Sequence, residues 1–546
     1  MRRFIIAVLL ILAVATGLAL RPGGTDFAAT APEFGPALAQ AETEADRGVA
    51  TFAFGDWGAL SSDTLRTSAA PWKLVNAAMA LQAAEGDVAR AAGTDIAALY
   101  RRFGFHSPEG IGNWPAHMPV PDMQSPLGLS VGTGGTVWPP SEVTISNIGC
   151  AACHTSVMYD ETGAPDTTRV WLGMPNGSIN LEVYTQALFT AVRDHGQEVG
   201  PLMEVMAGLY PDTSLRERLT LRLVILPILR DVIAEADDAY GRLLPFRASL
   251  AGATNGLDSL QNRLGLIPEG TVLTESIFNS VPDLGGRLWR TMLLNSGSYA
   301  IPGADPTRTI EAHDITPEHR QGLAGIIAYF TVPSMGVTEA VAEAHIPDAV
   351  AITAWMAEYR PQPYPGRIDL ALAARGRALY AEGCADCHGR YDDSLTEPAL
   401  LSFPNTEDDL GTDVARAMLL RQEIADTVNG GPFGRYITAR TVNTYTAPPL
   451  TGLWASAPYL HNGSVPTLWH LMRPEARPAV FDVGGHRLDL DRVGIDLDPP
   501  DGYAPWSDPV TIDTSAFGLS NGGHEAEFVG LTGAEKDALL EYLKLL

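Results

Sequence analysis

The chain has 546 residues, 46% of them apolar, so its length predicts about three to four domains' worth of chain with ample material for a buried core. Its 37 basic and 64 acidic residues leave a net charge of −27. That balance excludes nucleic-acid binding through a basic face, and suits either a plainly solvated acidic surface or the docking of a cationic partner.

Arg2 and Arg3 precede an uncharged apolar run from Phe4 to Leu20, which Arg21-Pro22-Gly23-Gly24 breaks. The run falls between a signal-peptide core and a bilayer span in length. Residues 1–24 are therefore expected to be a signal peptide or an N-terminal membrane anchor, and either one exports the rest of the chain. Residues 25–47, rich in Ala, Pro, Gly and Glu, read as a flexible linker. Residues 48–363 are expected to form a first domain, with helical patterns over Trp72 to Ala91 and Ile96 to Phe103. Gly/Pro-rich segments then surround residue 150. Asn180 caps a predicted helix through Tyr184, Leu188 and Val192. Leu219 to Leu229, interrupted by Arg222 and Pro227, is too short to span a membrane and reads as a buried helix. Pro361-Gln362-Pro363-Tyr364-Pro365-Gly366 cannot continue a helix and marks the boundary to a second domain, residues 364–546. There Ile368 to Ala381 reads as a helix, and Phe481 to Gly523 lacks a period and reads as loop. Thr532 and Glu535 form a capping box for a last helix whose Leu539, Leu543 and Leu546 share one face.

All four cysteines lie in two copies of one motif, Cys150-Ala151-Ala152-Cys153-His154 and Cys384-Ala385-Asp386-Cys387-His388. In a CxxCH motif the two thiols add to the porphyrin vinyl groups and the histidine becomes the proximal iron ligand. Disulfides or one zinc site would also use four cysteines, but neither needs a histidine after the second cysteine in both copies. Two covalently bound heme c groups are therefore expected, attached at Cys150, Cys153, Cys384 and Cys387, with iron ligands His154 and His388. Downstream of His388 the candidate sixth ligands are His461, His470, Met472, His486 and His524. Met158 and Met174 lie close in sequence to the first motif. Methionine ligation raises a heme potential relative to two histidines.

The run from Ala447 to Leu468, with Ala457-Pro458-Tyr459-Leu460-His461-Asn462-Gly463-Ser464-Val465-Pro466-Thr467 at its centre, resembles the hallmark of diheme cytochromes related to bacterial rubber oxygenase. It is more distantly similar to a segment of diheme cytochrome c peroxidases. Leu172-Gly173-Met174-Pro175, Tyr364-Pro365 to Arg377, and Ser520-Asn521-Gly522-Gly523-His524-Glu525 support the closer likeness, which covers roughly residues 140 to 546. The resemblance implies a mainly α fold: two cytochrome c-like heme domains with long irregular loops and a helical N-terminal extension. It also implies that His524 is the distal ligand opposite His388, and that the first heme keeps an open side shaped by Trp289 and Tyr299. The chain departs from the family in having Gly286-Arg287-Leu288 where Phe-Pro-Ser commonly precedes that tryptophan.

The expected function is that of a periplasmic or secreted cytochrome, held at the inner membrane if the leader is retained as an anchor. An open first heme would react with dioxygen or peroxide while the second moves electrons. The alternative is a pure electron carrier with both irons six-coordinate. A small cationic redox protein is the expected electron partner, and the substrate, small or apolar, is not named by the sequence.

Overall fold

The computed structural model describes residues 29–60, 69–136, 141–275 and 278–546; residues 1–24, expected to be a signal peptide or membrane anchor, lie outside them. Helical spacing and capping explain the first core. Helix Trp72–Ala83 buries Trp72, Leu74, Val75 and Met79 in one apolar cluster with Tyr184, Leu188 and Val192 of helix Leu181–His195. Asn180 begins the second helix by accepting from the Val183 amide at 3.2 Å. Leu221–Ile225 is a π turn that passes into helix Leu226–Tyr240. Pro227 lacks an amide hydrogen, and the wider turn before it accommodates that loss. Leu221, Ile225 and Leu229 face inward, whereas Leu219 and Leu223 are exposed, so this stretch lies across the surface of the core. Among the described residues no helix is long and apolar enough to cross a membrane.

The expectation of a mainly α fold built from two cytochrome c-like domains is not met. Helix accounts for 41% and strand for 14%, a mixed α/β composition with several small sheets. The Gly/Pro-rich surroundings of the first motif supply the longest strands. Leu129–Thr136 pairs antiparallel with Ser141–Ile148, and Thr155–Tyr159 pairs with Pro165–Leu172, which also pairs in parallel with Gly110–Ile111. Leu129, Val131, Val143 and Ile145 alternate into the core. Their period of two was masked in the sequence by the glycines and by Ser and Thr between them.

Residues 29–47 differ from a free tether. Phe34–Ala39 is helical with Ala37 fully buried, and Thr43 caps helix Glu44–Phe54 through a reciprocal bond with Asp46. In the second half, helices Leu370–Gly383 and Gly533–Leu543 pack against each other. Gly376 allows the approach: a Cβ there would lie 1.9 Å from the Ala538 carbonyl oxygen. The Thr532–Glu535 capping box is present, and Leu539, Leu543 and Leu546 are buried. No helix or strand lies between Glu358 and Leu370, yet this stretch is bonded to both sides. The Gln362 side chain donates to the Tyr159 carbonyl at 3.0 Å, and Trp454 Nε1 donates to the Gln362 carbonyl at 3.0 Å. One apolar cluster accordingly joins Val157, Tyr159 and Met174 to Tyr380, Trp454 and Leu539.

Candidate heme site

The first motif is a single helical turn, Cys150–Cys153, with His154 at its end. Two segments close over it. The Gly173 amide donates to the His154 carbonyl at 2.8 Å, and the Asn176 amide donates to the Cys153 carbonyl at 2.8 Å. The Leu172-Gly173-Met174-Pro175 run thereby acquires a physical role: it satisfies the open end of the motif turn. The second motif turns over Ala385–His388, where the His388 amide donates to the Cys384 carbonyl at 2.9 Å. Thr406 braces it from outside by donating to the Asp386 carbonyl at 3.1 Å.

The two histidines have the same polar partner. His154 Nδ1 lies 3.0 Å from the Pro282 carbonyl oxygen, and His388 Nδ1 lies 2.9 Å from that of Pro448. A carbonyl only accepts, so each Nδ1 carries the proton and each Nε2 presents a lone pair. A histidine ligand oriented by a backbone carbonyl has this arrangement. Burial holds both imidazoles neutral, depressing each to about 4. It also pushes the thiols of Cys150 and Cys153 up to about 12 and that of Cys384 up to about 11.

His524 stands opposite His388, with ring centroids 6.2 Å apart. Two imidazoles bonded at about 2 Å to opposite sides of one metal have centroids on the order of 6 Å apart. Burial lowers the His524 pKa, and its Nδ1 has no hydrogen-bond partner among the described residues. Among the described residues no imidazole–imidazole ring contact of this kind involves His154. The loop carrying His524 is gripped by the sequence hallmark. Asn462 Nδ2 donates to the Gly518 and Ser520 carbonyls at 3.1 and 3.0 Å, and the Ser464 hydroxyl donates to the Ser520 carbonyl at 3.0 Å. Arg477, its side chain 3% exposed, donates to the carbonyls of Asn521 and Gly523 and pairs with Glu525.

The other candidates are placed elsewhere. His461 stacks on Tyr445 with centroids 4.1 Å apart, and its Nε2, 3.0 Å from the Tyr445 hydroxyl, is taken up by that contact. His470 Nδ1 is bonded to Thr467, and His486 Nδ1 accepts from the Gly484 amide. Met174 and Met472 are fully buried in the apolar cluster that joins Tyr159 to Trp454, and Met158 lies against Gly112. Tyr299 is 2% exposed and belongs to the apolar cluster that includes Ala151 and contacts Cys150. Its ring meets Tyr329 edge-on at 5.8 Å. Trp289 is half-buried in the turn Arg287–Trp289, and its carbonyl accepts from Asn405 Nδ2 at 3.1 Å. The buried carboxyl of Glu182 lies near Cys153 but accepts from the Asn255 amide and the Ser249 hydroxyl.

Sequence reasoning missed the two proline carbonyls, because backbone acceptors carry no side-chain signature. It also missed Arg477 and two buried guanidiniums. Arg290 and Arg416 are 1% and 2% exposed, and Arg290 Nε and Arg416 Nη1 have no hydrogen-bond partner among the described residues. Burial depresses Arg290 to about 9. Orphaned buried donors of this kind fit the carboxylates of heme propionates. Together with paired thiols and two histidines whose Nε2 atoms present lone pairs, the donor set fits heme c.

The site is one of cytochrome c type. Residues 444–482, which contain Pro448, Asn462, Ser464 and Arg477, match the family described as RoxA-like, cytochrome c-like. A segment of this kind implies heme c and a heme-related redox role. Two curated relatives come from Sinorhizobium fredii. The chain is 35% identical over 200 residues to its uncharacterized protein y4iM, covering 31% of this chain and 44% of that protein. It is 29% identical over 252 residues to its uncharacterized protein y4iJ, covering 34% of this chain and 41% of that protein. The chain thus matches less than half the length of either relative.

Proposed function

We propose that the protein is an exported diheme c-type cytochrome with unequal hemes: a first heme at Cys150, Cys153 and His154 that reacts with dioxygen or peroxide, and a second at Cys384, Cys387 and His388 that transfers electrons. The observation that carries this reading is the shared histidine arrangement, Nδ1 on a proline carbonyl in both motifs, combined with an imidazole ring contact, from His524, at the second alone among the described residues. Heme supplies the dioxygen or peroxide chemistry at an open iron and one-electron transfer at a closed one. The protein's own residues orient the ligands and exclude water. The apolar cluster around Ala151, with Tyr299, shapes the first site, and Arg290 and Arg416 hold propionates. Trp289 and Tyr299 are assigned to substrate contact at the first heme. The net charge of −27 favours a small cationic redox protein as electron partner. The apolar leader directs the chain to the periplasm or beyond the cell, with the membrane anchor as the uncleaved form.

Carbon monoxide binding to the dithionite-reduced protein tests the proposal. One carbon monoxide bound per two hemes is the expected stoichiometry. A spectrum unchanged by carbon monoxide would replace the proposal with a pure electron carrier in which both irons are six-coordinate.

A further inference from the structure

Resting on the diheme reading, we infer that Asp283 is a positioning residue shared by both proximal histidines, locking the loop that orients His154 to the loop that orients His388. The carbonyl of Pro282, the residue before Asp283, accepts from His154 Nδ1, and that of Pro448, three residues before Thr451, accepts from His388 Nδ1. The Asp283 carboxylate, 3% exposed, lies between the two loops. Its Oδ1 accepts from the Gly285 amide at 2.7 Å and from the Thr451 hydroxyl at 3.4 Å, and its Oδ2 accepts from the Tyr359 hydroxyl at 2.8 Å. Each loop is also tied to its own motif. The Leu284 amide donates to the Gly173 carbonyl at 2.9 Å, and the Gly173 amide donates to His154. On the other side Tyr391, just past His388, donates to the Leu450 carbonyl at 2.8 Å and accepts from the Leu450 amide at 2.9 Å.

The glycines show how closely the loops interlock. A Cβ on Gly285 would lie 2.5 Å from Thr451 Oγ1, and one on Gly286 would lie 2.7 Å from Pro449 Cβ. A Cβ on Gly452 would lie 2.5 Å from Asp283 Oδ2. No side chain fits at these three glycines, so neither proline carbonyl can move without the other loop responding. The hydrogen bond at Nδ1 sets the orientation and basicity of a ligating imidazole, and through them the heme potential. A change at one proximal histidine is therefore transmitted to the other heme through this contact, a coupling made of two packed loops rather than of distance alone.

The test uses the intact diheme protein, with redox titration followed optically and by electron paramagnetic resonance so that each heme is read separately. Asp283→Asn is expected to shift the midpoint potential of both hemes. Loss of a nearby charge could do this without positioning, so the deciding variants are neutral. Gly285→Ala, in the first loop, is expected to shift the potential and low-spin signal of the second heme. Gly452→Ala, in the second loop, is expected to shift the first heme. Thr451→Val adds no bulk and breaks only the bond to Asp283, so it covers the case in which a glycine variant does not fold; a shift of the first heme is expected. Shifts confined in every neutral variant to the heme of the mutated loop overturn the inference while leaving the diheme reading intact. Fewer than two hemes per chain by pyridine hemochromogen assay overturns both.

Discussion

His524 has φ +64°, a left-handed conformation that non-glycine residues seldom adopt and that is enriched at functional positions. Gly523 before it, at φ +128°, and the grip of Arg477 on the flanking carbonyls hold that conformation in place. His524→Ala is expected to convert the second heme from low to high spin, read in the optical spectrum; an unchanged spectrum would refute the ligand. Arg477→Ala should leave both hemes attached but raise the high-spin fraction of the second, because the loop loses its carbonyl donors. A different residue pair secures the structure ahead of the first motif. Lys73 and Glu217 form an ion pair at 2.6 Å with side chains 14% and 7% exposed, and Glu217 also accepts from the Thr144 amide and hydroxyl in the hairpin leading to Cys150. Lys73→Met leaves that carboxylate buried without its cation, and a loss of about 3 kcal/mol in denaturant unfolding is expected. A loss near zero would mean that the Thr144 bonds alone satisfy Glu217.

At the scale of elements, helices Leu370–Gly383 and Gly533–Leu543 meet closely at Gly376. Gly376→Ala would force its Cβ against the Ala538 carbonyl, and a loss of about 1–3 kcal/mol is expected from such overpacking, measured as a lowered thermal midpoint of the heme-loaded protein. An unchanged midpoint would show that the two helices can slide apart freely. These helices were legible in the sequence because caps and apolar spacing reinforce each other: Asn180 and Thr532 cap as their positions suggest, and the leucines of the last helix are buried. The strands were not. Leu129–Thr136 carries three glycines, and its inward residues are set by pairing with Ser141–Ile148, a contact no local window contains. The short helix Phe34–Ala39 has a similar cause, since alanine-rich composition reads as tether until a packing surface is supplied.

Across the whole molecule, the site was legible wherever chemistry requires a particular side chain. Both CxxCH motifs are of that kind; His524 was implied by the family resemblance, and the structure brings it to His388 across 135 intervening residues, about the length of a whole domain. Roles filled by backbone atoms or by packing were invisible: the Pro282 and Pro448 carbonyls, and the Asp283 contact between them. Charge acts at the same scale. With a net of −27, binding to a cationic redox protein is expected to weaken steeply as salt rises from low to physiological strength, measured by titration at several ionic strengths; salt-independent binding would rule out electrostatic docking. The central claim is that two hemes on one chain are ligated differently, and electron paramagnetic resonance of the fully oxidised protein tests it most directly. One high-spin and one low-spin ferric signal of equal integrated intensity are expected. Two low-spin signals, or a single signal accounting for all the iron, would contradict it.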